Sequence, residues 1–234
     1  SSAASDVYKR QVLFLAAIFT LMNVAVRNGS LLYYFKYYVG DDGMPIFLIF
    51  DKTAVFMSLG LMTMIIGIAL TKTLSERFEK RDLLIALTIM NALTMAAFYV
   101  TPPDQYWTMV VINCLGTLII GPTPALVWAM YADTADYGEW KTGQRTTALI
   151  FSSLQFAQKM GLAVGAGLAG IVLGLFGFVA NEVQTETSLA GIRFMFSVMP
   201  ALLAVLGAAA IYFYKIESNT IRQVEKDLQA RHST

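Results

Sequence analysis

Six stretches of this chain are apolar almost throughout: residues 12–39, 45–71, 83–100, 106–131, 146–178 and 189–214. A hydrocarbon core about 30 Å thick is crossed by roughly 20 helical residues, so the pattern predicts an all-α membrane protein with six transmembrane helices. Between them stand short polar segments, "GDDGMP", "KTLSERFEKRD", "TPPDQ", "ADTADYGEWKTGQR" and "ANEVQTETS", each read as a connection. In the fourth stretch, "GTLIIGPTPALVW" predicts an interrupted helix, because Pro122 and Pro124 lack a backbone donor and Gly121 weakens the preceding turn. In the first, Gly29 and Ser30 are expected to loosen the helix. In the fifth, Gly161-x-x-x-Gly165 and Ala163-x-x-x-Gly167 predict close approach of neighbouring backbones. Beyond residue 214, Ile221, Val224 and Leu228 recur at helical spacing among charges. Residues 216–234 therefore read as an amphipathic tail, either a helix lying on the membrane surface or a fraying solvated segment.

Composition agrees with a lipid solvent. The 234 residues are 56% hydrophobic and 14% charged, against about a quarter charged in soluble domains. With a net charge of +1 and no basic cluster interleaved with aromatics, nothing points to nucleic acid. Cys114 is the only cysteine and His232 the only histidine. A disulfide framework, a cysteine metal site and Ser-His catalysis are thereby disfavoured, and no cofactor is expected. Residues 1–11, "SSAASDVYKRQ", resemble the in-frame translation of a sequencing adapter and are read as not native. On that reading the membrane bundle occupies residues 12–215, truncated at its start.

Charge sets the expected orientation, since basic residues collect on the cytoplasmic side. Lys72, Arg77, Lys80, Arg81, Lys141, Arg145, Lys215, Arg222, Lys226 and Arg231 fall on one side, against Lys36 and Arg193 on the other. The protein is expected in the plasma or inner membrane, with both ends of the chain in the cytoplasm. Tyr33, Tyr34, Tyr37 and Tyr38 then lie at the outer interface.

The charges inside the spans carry the candidate chemistry. Lys159 stands more than three helical turns from either end of its stretch, where a lysine costs about 3 kcal/mol on insertion scales. It is expected to face a watery cavity or a carboxylate, with an ion pair between helices as the competing structural reading. Ser152 and Gln155 share its stripe. Arg27, flanked by Asn23 and Asn28, is the second such charge and either lines a cavity or anchors one helix to another. Asp51 and Lys52, about two turns into the second stretch, are expected to pair locally. Trp128 offers a flat face on which a sugar can stack, or serves as an interfacial anchor. The segment holding Asp133, Asp136, Glu139, Lys141 and Arg145 is either a gate closed by salt bridges or a solvated loop.

"YADTADYGEWKTGQRTTALIFSSLQFAQKMG", from residue 131 to 161, closely resembles the loop and following helix of the glycoside–pentoside–hexuronide:cation symporters, and "RNGSLLYYFKYYVGD" and "KTLSERFEKRD" are similar to that family too. The resemblance covers essentially everything after residue 11. It implies a major facilitator fold of two six-helix halves, of which this chain matches the second. It also implies that Lys159 lies near the cation and sugar sites, that Gln155 and Trp128 line the sugar cavity, and that Asp133, Asp136, Glu139 and Arg145 belong to a cytoplasmic charge network. Arg27 departs from the melibiose permease pattern while suiting other members. The cation-binding carboxylates are expected in the other half, with Na⁺ or H⁺ as the coupling ion.

The function expected is sugar:cation symport, with one wall of the cavity supplied here. Alternatives are transport of another solute such as a lysophospholipid, or a six-helix channel or sensor. An intramembrane enzyme is disfavoured, because no histidine lies within the spans.

Overall fold

The computed structural model describes residues 2–143, 147–214 and 218–232. Six helical segments in it are long and apolar enough to cross a membrane: Gln11–Val39, Lys52–Ala69, Lys80–Val100, Tyr106–Lys141, Thr147–Leu175 and Glu186–Tyr212. The chain is a multi-pass membrane protein. Its helices are α1 Ser2–Tyr33, α2 Lys52–Ala69, α3 Thr71–Arg77, α4 Lys80–Val100, α5 Tyr106–Ile120, α6 Thr123–Thr142, α7 Thr147–Leu175, α8 Glu186–Phe196, α9 Val198–Tyr212 and α10 Ser218–His232.

Several boundaries differ from the sequence reading, each for a local reason. Helix α1 runs unbroken through Gly29 and Ser30, with the Ser30 hydroxyl bonded back to the Val26 carbonyl at 2.9 Å. The helix widens later, into a π-helical segment over Tyr34–Val39. Gly40 ends it at φ 69°, a left-handed conformation that glycine adopts without strain. The second span begins at residue 52 rather than 45, since Asp51 is the N-cap of α2 and accepts the Ala54 N–H at 2.7 Å. Asp51 therefore lies outside the span, and no Asp51–Lys52 pair forms; the Lys52 Nζ is instead 3.5 Å from the Gly40 carbonyl oxygen.

The expected break at Gly121 and Pro122 is present, separating α5 from α6. Pro124 cannot donate to the carbonyl of Ile120, and the Thr123 hydroxyl donates there instead at 2.8 Å. Gly121 meets Gly67 of α2 backbone to backbone: a Cβ built on Gly121 falls 2.7 Å from the Met64 carbonyl oxygen. The segment read as a loop from residue 132 is helical instead. Nothing breaks α6 before Gly143, whose φ of 68° closes it. The last span is also broken, at Ser197 between α8 and α9. Pro200 stands four residues after Phe196 and leaves the Phe196 carbonyl without its helical donor.

Helix α7 lies directly on α1. A Cβ on Gly161 falls 2.6 Å from the Ile18 carbonyl oxygen, and one on Gly165 falls 2.8 Å from the Ala25 Cβ. Of the two small-residue pairs, this one makes the crossing; Gly167 has nothing within 4 Å. The main core joins α1, α4, α6, α7, α8 and α9 through Val26, Leu84, Leu126, Met130, Leu154, Met195 and Leu203. A second, aromatic core holds Tyr34, Phe35, Phe56, Phe98 and Phe196 at the opposite end from the basic connections. Met57, Leu61, Met62 and Ile65 of α2 stay exposed, an apolar face suited to lipid.

The apolar stripe of the tail packs on protein. Ile221, Val224 and Leu228 of α10 are buried against Tyr137 and Trp140, on the extension of α6 beyond the span core. The Trp140 indole donates to the Asp227 carboxylate at 2.8 Å.

Candidate functional site

A cavity of about 460 Å³ lies within the bundle. Its polar groups are mostly amides and hydroxyls: Asn23 and Asn28 from α1, Thr88 and Asn91 from α4, Asn113 from α5 and Gln158 from α7. Arg27 is the charged residue in its lining among the described residues. The broken helix serves the cavity directly, since Thr123, Pro124 and Trp128 all reach its wall. Trp128 is 44% exposed and stacks on Phe151, with ring centroids 5.7 Å apart and 18° between planes.

Two asparagines bind helices together while fronting this space. Asn91 Nδ2 donates to the Gly116 carbonyl at 2.9 Å, and Asn113 Nδ2 donates to the Phe56 carbonyl at 3.1 Å. Asn91 is 4% exposed, yet its Oδ1 has no hydrogen-bond partner. A buried carbonyl oxygen without a donor carries a desolvation cost of roughly 1–3 kcal/mol.

Arg27 sits where α1 meets the break between α8 and α9. Its Nη1 donates to the Phe196 carbonyl at 2.8 Å, the carbonyl that Pro200 leaves without a helical donor. The guanidinium carbon also stands 4.4 Å from the Phe196 ring centroid and 4.9 Å from that of Phe98, within cation–π range. Both readings of Arg27 are thus realised: it anchors helices and it lines a cavity.

Lys159 and Gln155 are placed differently. With Ser152 they lie exposed on the outward face of α7, outside the lining of the cavity. Gln158, which the sequence reading passed over, turns inward. No carboxylate lies within ion-pair distance of Lys159 among the described residues. Any acid that meets Lys159 comes from outside the described residues.

At the basic end the charges of α6 ride a helix. Asp133 pairs with Lys80 at the start of α4, at 2.7 Å and 3.0 Å. Asp136 and Glu139 follow on the same helix, half-buried; Arg145 lies outside the described residues. The Tyr214 hydroxyl is 3.1 Å from the Thr134 hydroxyl, and Arg81 donates to the Tyr214 carbonyl at 3.4 Å. Burial pushes the Tyr214 phenol well above its ordinary range, against the hydrogen bond with Thr134. Lys80, Tyr214, Asn91 and Asn113 carry no spacing signal of their own, because each gains its place only from helices that are distant in sequence.

The profile of the MFS/sugar transport protein family matches residues 9–218. A glucuronide carrier protein homolog of Escherichia coli K12 is 24% identical over 220 residues, covering 94% of this chain and 47% of that protein. A putative sulfoquinovose importer of Salmonella typhimurium is 26% identical over 224 residues, covering 95% of this chain and 46% of that protein. An isoprimeverose transporter of Lactiplantibacillus pentosus is 28% identical over 228 residues, covering 95% and 44%. The chain spans somewhat under half the length of these three relatives. They are carriers and transporters rather than enzymes. With its six spans, its interrupted helices and this match over most of its length, the chain belongs to the MFS/sugar transport protein family.

Proposed function

We propose that the chain is one half of a secondary transporter that carries a sugar or glycoside together with Na⁺ or H⁺. The observation that carries this reading is the cavity lined by amides, hydroxyls and Arg27, with Trp128 in its wall. Amides and hydroxyls match the hydroxyls of a sugar, and an indole face suits the apolar C–H surface of its ring. The relatives named for a glucuronide, sulfoquinovose and isoprimeverose support the substrate class.

In this reading the exposed stripe of Ser152, Gln155 and Lys159 faces a second half, whose carboxylates pair with Lys159 and bind the coupling ion. Cation binding competes with that pairing, and so links ion to sugar. Substrate contacts fall to Trp128 and Arg27 in the cavity, and to Gln155 on the face turned toward the second half. Asp133, Asp136, Glu139 and Arg145 form the inner gate, with both ends of the chain in the cytoplasm. Rocking of the halves about the site alternates access.

The test is uptake by the complete protein in membrane vesicles, across a panel of labelled glycosides with and without an imposed sodium or proton gradient. Accumulation above equilibrium that collapses with the gradient supports symport. Uptake that only equilibrates, whatever the gradient, supports a channel and overturns the proposal.

A further inference from the structure

The geometry points to Arg27 as the receiver of an acidic group on the transported sugar, a carboxylate or a sulfonate, an assignment that rests on the sugar-transport reading above.

Arg27 is a cation midway along a membrane span, and such a charge is tolerated only with compensation. The compensation within the chain is incomplete. One nitrogen, Nη1, is used on the Phe196 carbonyl, and one side of the group is covered by Phe98 and Phe196. The other guanidinium nitrogens have no hydrogen-bond acceptor among the described residues, although Arg27 lines the cavity. They are not sealed in packing either, for Arg27 is absent from the buried nitrogens without a partner, which include that of Arg193. No aspartate or glutamate lines the cavity among the described residues. The charge thus stands at the edge of the cavity with donors to spare and no counter-ion among the described residues.

A planar guanidinium in this position is suited to one kind of guest. Two of its N–H groups can engage both oxygens of a carboxylate or sulfonate, and such charge-assisted pairs are about twice as strong as neutral ones. The aromatic rings and the Phe196 carbonyl fix the plane before the guest arrives, so little freedom is lost on binding. Around it, Asn23, Asn28 and Gln158 supply neutral groups for hydroxyls, and Trp128 supplies a face for the ring. A neutral sugar would leave the surplus donors to water. An acidic sugar satisfies the charge and the hydroxyl-binding groups together.

The competing source of an anion is a carboxylate from the remainder of the longer protein, held against Arg27 permanently. The experiment separates the two. In the complete protein, binding is measured for matched pairs of ligands: a 4-nitrophenyl hexuronide against the 4-nitrophenyl hexoside of the same ring, and a 6-sulfonated hexose against the parent hexose. The expected result is a preference of about ten- to a hundredfold for the acidic member of at least one pair. Arg27→Gln is expected to reduce that preference to near unity chiefly by weakening the acidic member, and Arg27→Lys to restore part of it. Because Arg27 also serves the Phe196 carbonyl, Arg27→Gln is repeated on a Pro200→Ala background, where the helix supplies that carbonyl with its own donor.

Equal binding of acidic and neutral members by the unaltered protein overturns the assignment in favour of a fixed protein carboxylate. Equal weakening of both members by Arg27→Gln on the Pro200→Ala background also overturns it, in favour of a structural cap. If no member of any pair binds, the sugar reading fails and takes this assignment with it.

Discussion

Lys159 and Arg27 are both cations inside spans, and the structure treats them oppositely. Arg27 is held by a carbonyl and two rings at the edge of a cavity. Lys159 has no ion-pair partner among the described residues and stands on an exposed face. A lone ammonium in hydrocarbon is costly, so the face that bears it is one that meets water or a second half. Lys159→Leu in the complete protein is expected to abolish ion-driven accumulation while leaving membrane insertion unchanged. Uptake assays beside a membrane-fractionation blot check this, and full coupling in the variant refutes the role. Asp41, in the connection before α2, offers a test by pH. Partial burial alone would raise its carboxyl, but hydrogen bonds from the Thr53 hydroxyl and N–H and from the Gly43 N–H, with Lys52 nearby, hold it below the ordinary 3.8. A depressed carboxyl stabilises the folded form above its unfolded pKa, and that contribution disappears as pH falls through the folded value. Asp41→Asn is therefore expected to lower the Tm at pH 7, with the gap to the unaltered protein narrowing as pH drops below about 4. A gap independent of pH would refute the linkage.

Between elements, close contact depends on two kinds of break. Glycine removes a side chain where α7 crosses α1, and proline removes a donor where α5 and α8 end. Gly165→Val places new carbons against Ala25 and the Met22 carbonyl. It is expected to cost about 1–3 kcal/mol by overpacking, seen as a lower Tm in detergent. Gly167→Ala on the same helix, with nothing within 4 Å, is expected to leave Tm unchanged. The docking of α10 is testable by itself. Val224 is fully buried against α6, and Val224→Asp puts an unpaired charge there. Detachment is expected to expose α10 to limited proteolysis and to shift the emission of Trp140, whose indole bonds Asp227, to longer wavelength. Retained protection would show that α10 is held by something other than its apolar stripe.

For the molecule as a whole, the proposal is that these six spans build one side of a transporter. The chain spans somewhat under half the length of the carriers it resembles, and the polar stripe of α7 faces outward. Reconstituted alone in liposomes, the 234 residues are expected to give no ion-driven sugar uptake, and co-reconstitution with the remaining half is expected to restore it. Uptake by the 234 residues alone would remove the need for a second wall. The interlocked basic end, where Lys80 holds Asp133 and α10 holds α6, belongs to the same proposal, because a rigid half is what a rocking mechanism requires.

Hydropathy alone was enough for the number of spans and the expense of Lys159 and Arg27, because burial in lipid depends on local composition and helix length; the break at Pro122 followed from the donors that proline lacks. The loop expected after residue 131 was misplaced. Charged residues looked like a connection there, yet they continue a helix whose buried face is supplied by α10. The kink at Ser197 had a written signal in Pro200 that went unused, and its consequence, a carbonyl offered to Arg27, could not be read from one helix. The cavity's asparagines and Gln158, and the outward turn of Lys159 and Gln155, were settled only by how distant helices rotate against one another. Helix rotation follows from the sum of many side-chain contacts across the bundle, and no single window of sequence contains that sum.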